Sequence, residues 1–223
     1  MKNINNLFRF IHRKRHAAGF GVHSPFAFNL ILDIINTPHS YYIYNDNKRK
    51  LDRAGLDNNE TKLKYAELLF RLMNRFNAKD ILEIGSGLGI NTLYISAHSK
   101  QTSVICVEQE EEKAKTAHSL LTNKLENIIF ANVLPTKENS FDVIVWDLKE
   151  YPLKDDETLR TICSTLKSDG FIVVNHINKG KQNKAVWQKI MKHDALTMSF
   201  DLEAIGIGFF KPSLPKLNYD LYI

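Results

Sequence analysis

Three groups of residues have the types and spacing to do chemistry. The first is Asp80-Ile81-Leu82-Glu83-Ile84-Gly85-Ser86-Gly87-Leu88-Gly89, an apolar run that ends in three glycines at every second position. A turn without side chains lets a ligand approach the backbone closely, and a helix starting just beyond it presents unpaired N–H groups. Glu83 adds an acid two residues before the first glycine. The second group is Glu108, which follows the apolar run Val104–Val107, where an acid can accept both hydroxyls of a ribose. The third is Asp147, after Val143–Trp146, with Asn175 and His176 after Phe171–Val174. A carboxylate, an amide and an imidazole at strand ends could orient a substrate or move a proton. Two readings of His176 stand, as a general base titrating near neutral pH or as a simple hydrogen-bond donor. Asp147 has a similar pair, as a site residue or as a cap on the chain leaving its strand.

The elements that must position these residues are legible from periodicity. From residue 80 onward, apolar runs at Ile81–Ile84, Val104–Val107, Ile128–Phe130, Val143–Trp146 and Phe171–Val174 alternate with helical stripes such as Ile90/Leu93/Tyr94/Ala97 and Leu159/Ile162/Cys163/Leu166. Continuous apolar runs are expected of parallel strands covered on both faces, so the pattern is doubly wound α/β. Later, Leu196, Met198, Phe200 and Leu202, then Ile205, Ile207 and Phe209, alternate with period two. Two such half-buried strands with no room for a helix between them imply an antiparallel hairpin at the sheet edge. Residues 1–60 read as a helical N-terminal extension and residues 61–223 as the main domain. Within the extension, Ile4, Leu7, Phe8 and Ile11 mark an amphipathic helix over 3–16, and Ser24-Pro25 opens a second helix that ends by Pro38. Residues 39–60, rich in Asn, Asp, Lys and Tyr, read as a mobile loop in which Tyr41, Tyr42 and Tyr44 either line a pocket or stand as surface aromatics. A third helix spans about 61–76.

Composition bounds the rest. A chain of 223 residues, 43% hydrophobic and 25% charged, can bury a full core without metals or disulfides. Cys106 and Cys163 lie in apolar segments, which fits buried thiols in a cytoplasmic protein. No apolar run is long enough to span a membrane. The net charge of +5 is uneven: Lys2, Arg9, Arg13, Lys14 and Arg15 stand in residues 1–32 without one acid, leaving 25 basic against 25 acidic residues beyond. Such a cluster reads as a solvated helix face or as a contact for nucleic acid or an anionic surface.

The dinucleotide fingerprint needs a small residue at its sixth position, and here that position is Ile90. With Glu83 ahead of the glycines and Glu108 behind the next strand, a different cofactor is indicated. Gln109-Glu110-Glu111-Glu112 also read as the acidic first turn of a helix.

Over roughly residues 61–211 the chain resembles the class I S-adenosylmethionine-dependent methyltransferases, and within them the catechol-type O-methyltransferases and an uncharacterised bacterial branch. The resemblance rests on Ile81 through Gly89, on Val104-Ile105-Cys106-Val107-Glu108 and on Phe141-Asp142-Val143-Ile144-Val145-Trp146-Asp147. It implies a mostly parallel seven-stranded sheet with a C-terminal antiparallel edge hairpin. It implies S-adenosyl-L-methionine as cofactor, with Glu83, Gly85, Ser86, Gly87 and Gly89 holding the methionine end and Glu108 the ribose. Asn132 would lie toward the adenine, with Gln109 next to Glu108 among the cofactor-binding residues, and Asp147 would border the same site. Catechol-type enzymes place a divalent metal at the positions of Asp147, Asn175 and His176. The amide and imidazole here depart from that oxygen set and put the metal in doubt. Asp147, His176 and Lys149 remain the candidates for catalysis, although Lys149 does not keep the family's lysine spacing.

The leading expectation is therefore a methyltransferase acting on a small-molecule acceptor, at oxygen. Two alternatives stand beside it. One is an RNA-modifying methyltransferase using the basic arm, although Asp147-Leu148-Lys149-Glu150 is not the motif of amino-methyltransferases. The other is a cofactor-binding protein that has lost catalysis. Whether residues 1–60 cover the acceptor pocket or mediate a homodimer stays open at this stage.

Overall fold

A computed structural model describes residues 2–222, with the side chains of 2–9, 123 and 124 left aside. The stripe positions Ile4, Leu7 and Phe8, and the basic Lys2 and Arg9, have side chains outside the described set. Helix α1 (Lys2–Ala17) is followed by α2 (Pro25–Asn29), which runs on as a π-helical turn over Leu30–Ile35. Ser24 caps α2, its hydroxyl accepting from the Ala27 amide at 3.3 Å, and Pro25 fills the first turn as the sequence indicates.

Residues 39–60 do not form the expected loop: α3 occupies Tyr42–Arg53. Its buried stripe is Tyr44, Asn47 and Leu51, at spacings of three and four. The middle member is an amide, so the stripe does not read as apolar in the sequence. Tyr44 joins Tyr41, Phe70 and Tyr94 in an aromatic cluster with ring centroids 5.0–6.0 Å apart, while Tyr42 is exposed. Helix α4 (Glu60–Phe76) then delivers the chain to the sheet. Its buried Arg71 donates from Nε to the Ile34 carbonyl at 2.7 Å, satisfying a carbonyl at the end of the π-helical turn and tying the leader down.

The sheet has eight strands: β1 (Asp80–Ile84), β2 (Ser103–Val107), β3 (Ile128–Ala131), β4 (Phe141–Asp147), β5 (Leu166–Asn175), β6 (Met198–Asp201), β7 (Ile205–Phe209) and β8 (Leu217–Asp220). Their order is β3-β2-β1-β4-β5-β7-β6-β8. β1 to β5 are mutually parallel, and β7 lies antiparallel between β5 and β6, giving the C-terminal hairpin. The intervening helices are α5 (Ile90–Ile95), α6 (Glu111–Leu120), α7 (Asp156–Thr165) and α8 (Gly180–Met191). Successive strand residues alternate between two apolar clusters. Ile81, Val104, Val143 and Val173 face α2 to α5, and Leu82, Val107, Ile144 and Val174 face α7 and α8. Burial on both faces is what makes these strands continuous apolar runs.

Three details differ from the sequence reading. An eighth strand, β8, pairs parallel to β6 and forms the sheet edge in place of the hairpin. Its four residues are too few for a periodic signal. β7 is buried at all five positions rather than half-buried, because Gly206 and Gly208 lie beneath Trp187 and Leu196. Leu166 begins β5 instead of completing the α7 stripe. Among the described residues, no helix is long and apolar enough to cross a membrane.

Candidate cofactor and acceptor site

The glycine turn joins β1 to α5, and its three glycines serve different ends. All adopt positive φ, at 77° for Gly85, 55° for Gly87 and 79° for Gly89, a region costly for other residues. At Gly85 a Cβ would meet Glu150 Cβ at 3.0 Å, and at Gly89 it would meet Ala117 Cβ at 2.8 Å, so these two are demanded by packing. At Gly87 nothing lies within 4 Å, which leaves the backbone open to an approaching ligand. Ser86 is buried, and its hydroxyl has no partner among the described residues.

Glu83 lies beneath the turn, only 1% exposed. The Thr92 hydroxyl donates to its Oε2 at 2.6 Å and the Cys106 thiol approaches the same oxygen at 3.8 Å, while Oε1 has no partner. Burial pushes its carboxyl up to about 8; the bonds from Thr92 and Cys106 oppose this, and the charges of Asp147 and Glu108 add to it. A buried carboxylate with one empty oxygen is poised for a cationic partner. Tyr65 of α4 is buried in the field of both Glu83 and Asp147, and its hydroxyl too has no partner.

Glu108 closes the turn from the β2 side. Its Oε2 accepts from the Gly87 amide at 2.8 Å and its Oε1 from the Glu110 amide at 2.9 Å. The same carboxylate thus touches the tip of the glycine turn and the chain entering α6. Gln109 and Asn132, at the ends of β2 and β3, are exposed.

Asp147 and His176 meet at the ends of β4 and β5, which pair in parallel with Asp147 opposite Asn175. Asp147 Oδ1 accepts from His176 Nδ1 at 2.9 Å and from the amides of Lys149 at 2.8 Å and Glu150 at 3.2 Å. Its Oδ2 accepts from Asn175 Nδ2 at 3.0 Å. Burial opposes ionisation of Asp147, but the bond and charge of His176 and the two amides outweigh it and hold its pKa below the usual value. In a neutral imidazole, an ionised Asp147 favours the tautomer with the proton on Nδ1, which leaves Nε2 as the acceptor. His176 sits at φ 63°, a strained conformation for a non-glycine residue. Its amide bonds Asn175 Oδ1 at 2.9 Å and its carbonyl accepts from Asn183 Nδ2 at 2.9 Å, which pins it there.

This donor set does not fit a divalent metal of the magnesium type. Both Asp147 oxygens and the Asn175 oxygen already accept protein hydrogen bonds, and the ring nitrogen nearest them is bonded to Asp147. Among the described residues no three His, Cys, Asp or Glu side chains are grouped to hold a metal ion. Lys149 contributes its amide to Asp147, whereas its ammonium turns outward to Glu150 at 2.9 Å, and Glu150 also pairs with Lys113 at 2.7 Å.

The structure therefore brings Glu83, the glycine turn, Glu108, Asp147, Asn175 and His176 to the C-terminal ends of β1, β2, β4 and β5. It leaves Gln109, Asn132 and the Lys149 ammonium at the surface. Tyr65 and Thr92 escaped the sequence reading, because a tyrosine in an amphipathic helix and a threonine in a short one carry no distinctive pattern.

Residues 81–170 match the family model described as a methyltransferase domain. No curated protein matches the chain in sequence. Solved structures share the fold. An O-methyltransferase from Bacillus cereus in complex with SAH is 15% identical with a TM-score of 0.55, over 78% of this chain and 93% of that one. The O-methyltransferase TomG from Streptomyces achromogenes, in complex with SAM, is 13% identical with a TM-score of 0.56, over 77% and 90%. SAH-bound methyltransferase PaMTH1 from Podospora anserina is 12% identical with a TM-score of 0.59, over 78% and 89%. Residues 81–170 thus resemble a methyltransferase domain, and the glycine turn, the two strand-end acids and the strand order stand in the fold that these solved structures share.

Proposed function

We propose that the protein methylates a hydroxyl of a small molecule, with the Asp147–His176 pair as its base and without a resident metal. The observation that carries this reading is the 2.9 Å contact between Asp147 Oδ1 and His176 Nδ1, beside the glycine turn. Both structural neighbours described as O-methyltransferases support the choice of oxygen.

The buried polar atoms fit the cofactor. Glu83 Oε1 and Ser86 Oγ are unpartnered and can take the charged amino-acid end, while Glu108 can take the ribose hydroxyls beside the open backbone at Gly87. Gln109 and Asn132 then flank the adenine. When bound, S-adenosylmethionine supplies a methyl group made electrophilic by its positive sulfur. The chain does the rest. His176 Nε2 takes the acceptor's hydroxyl proton, the Asp147 carboxylate stabilises the imidazolium that results, and Asn175 and the Lys149 amide keep that carboxylate in place.

Turnover on a panel of phenols and catechols, run with EDTA and with magnesium, tests the assignment. Equal rates in both are expected. His176→Gln should lower kcat by roughly 100-fold or more while leaving the affinity for S-adenosylhomocysteine unchanged. Full activity in that variant, or EDTA inhibition reversed by magnesium, would overturn the reading.

A further inference from the structure

We infer that the surface formed by α1 and the turn after it docks onto an anionic lipid surface. Among the described residues, the contacts of α1 with the body come from Phe10, Arg13, His16 and Ala17. Arg13 bonds Asp201 and the Leu221 carbonyl, Phe10 packs edge-on against Tyr222 at 4.9 Å, and Ala17 is buried. Ile11 belongs to another side and is 45% exposed. Lys14 and Arg15, three and four residues on, lie one helical turn from Ile11 on the same side. Beyond the helix, Phe20 is 63% exposed, and it lines with Ile11, His12 and Arg15 an open groove of about 650 Å³.

Large apolar side chains standing in water between cations are the pattern of a helix that lies in a membrane interface. The charge distribution chooses the kind of membrane. Arg13 is paired with Asp201 and Asp220 lines the groove, but the exposed Lys14 and Arg15 have no ion pair among the described residues, so the free charge of this side is cationic and its complement anionic. A second copy fits poorly, because a two-fold contact sets the same patch against itself and brings like charges together. Phe20 offers a ring on which a nucleic-acid base can stack, but the aliphatic Ile11 beside it is matched only by an apolar phase.

The experiment is co-sedimentation of the full chain with vesicles of phosphatidylcholine, alone or mixed with phosphatidylglycerol. Retention is expected on the mixed vesicles only, with release at high salt. Lys14→Gln with Arg15→Gln should lower the partition roughly 30-fold, at about fivefold per charge. Ile11→Ser with Phe20→Ser should lower it about tenfold or more without altering the melting temperature, since both side chains are exposed. No retention on the mixed vesicles, equal retention on phosphatidylcholine alone, or unchanged binding by both variants overturns the proposal. So does retention on RNA, or a dimer abolished by Ile11→Ser, in the absence of vesicle binding.

Discussion

At the scale of single residues, the charge state of Glu83 is the most consequential property of the site. Its burial beside Thr92 and Cys106 raises its pKa from 4.5 to about 8, so the ligand-free protein holds it mostly protonated at neutral pH. A cationic amino group placed against the empty Oε1 would restore the carboxylate. Binding of S-adenosylhomocysteine near pH 7 should therefore release close to one proton. Calorimetry in buffers of different ionisation enthalpy reads that number, and an apparent enthalpy independent of the buffer would refute the coupling. The same shift sets a stability slope. The folded chain binds this proton more tightly than the unfolded one, so the contribution is complete below pH 4.5 and is lost as pH rises toward about 8. Glu83→Gln, neutral at every pH, should flatten the decline of ligand-free stability across that window, by on the order of several kcal/mol. It should also abolish the proton release.

At the scale of elements, close packing of α8 on β7 is what makes the late strand a central one. A Cβ at Gly206 would meet the Trp187 ring at 2.7 Å, whereas at Gly55, with φ 65°, nothing lies within 4 Å. Gly206→Ala should cost about 2–3 kcal/mol through overpacking, and Gly55→Ala only about 1 kcal/mol from backbone strain. Trp187 Nε1 has no partner among the described residues, so Trp187→Leu breaks no hydrogen bond with them, and in that background the Gly206→Ala cost should shrink. Strict additivity in urea melts would count against the contact. The same packing explains what the sequence reveals. β1, β2, β4 and β5 are legible because both of their faces are covered, and the glycine turn because three residues at positive φ need glycine. α3 is hidden by Asn47 in its buried stripe, and β8 by its length. The strand-end acids can be placed from sequence, since a strand's end is a local property. The contact of Asp147 with His176 cannot, because 29 residues separate them and only the β4–β5 register brings them together. Tyr65 is hidden for a related reason: its buried hydroxyl lies in the field of acids from two different strands.

At the scale of the whole molecule, the leader and the sheet share one core, and their two ends are fastened to each other. Ile31, Leu51, Leu69 and Ile81 belong to the same buried cluster, so α2 and α3 cannot leave without exposing the face of the sheet that carries Glu83. The polar link is Arg13 of α1. Its Nε donates to the Leu221 carbonyl and its Nη2 to the Asp201 carbonyl, each at 2.9 Å, and the same Nη2 pairs with Asp201 Oδ1. Those partners belong to β6 and to the residue after β8, which α1 reaches over a separation of 188 to 208 residues. Side-chain exposures of 11% and 19% keep the pair partly desolvated, which places it above an ordinary surface ion pair. Removing the guanidinium takes its donor from the Leu221 carbonyl, while the Asp201 carbonyl keeps the Leu221 amide at 2.8 Å and Asp201 Oδ1 keeps the Glu203 amide at 2.9 Å. Arg13→Ala should cost about 1.5–3 kcal/mol for the charge-assisted bonds. Because the link is peripheral, the loss should be local: amide exchange should accelerate in α1 and β8 while β1, β2 and β4 keep their protection. Uniform acceleration across the sheet would instead mean that α1 is part of the cooperative core, and no change anywhere would mean that Arg13 contributes nothing to holding the ends together.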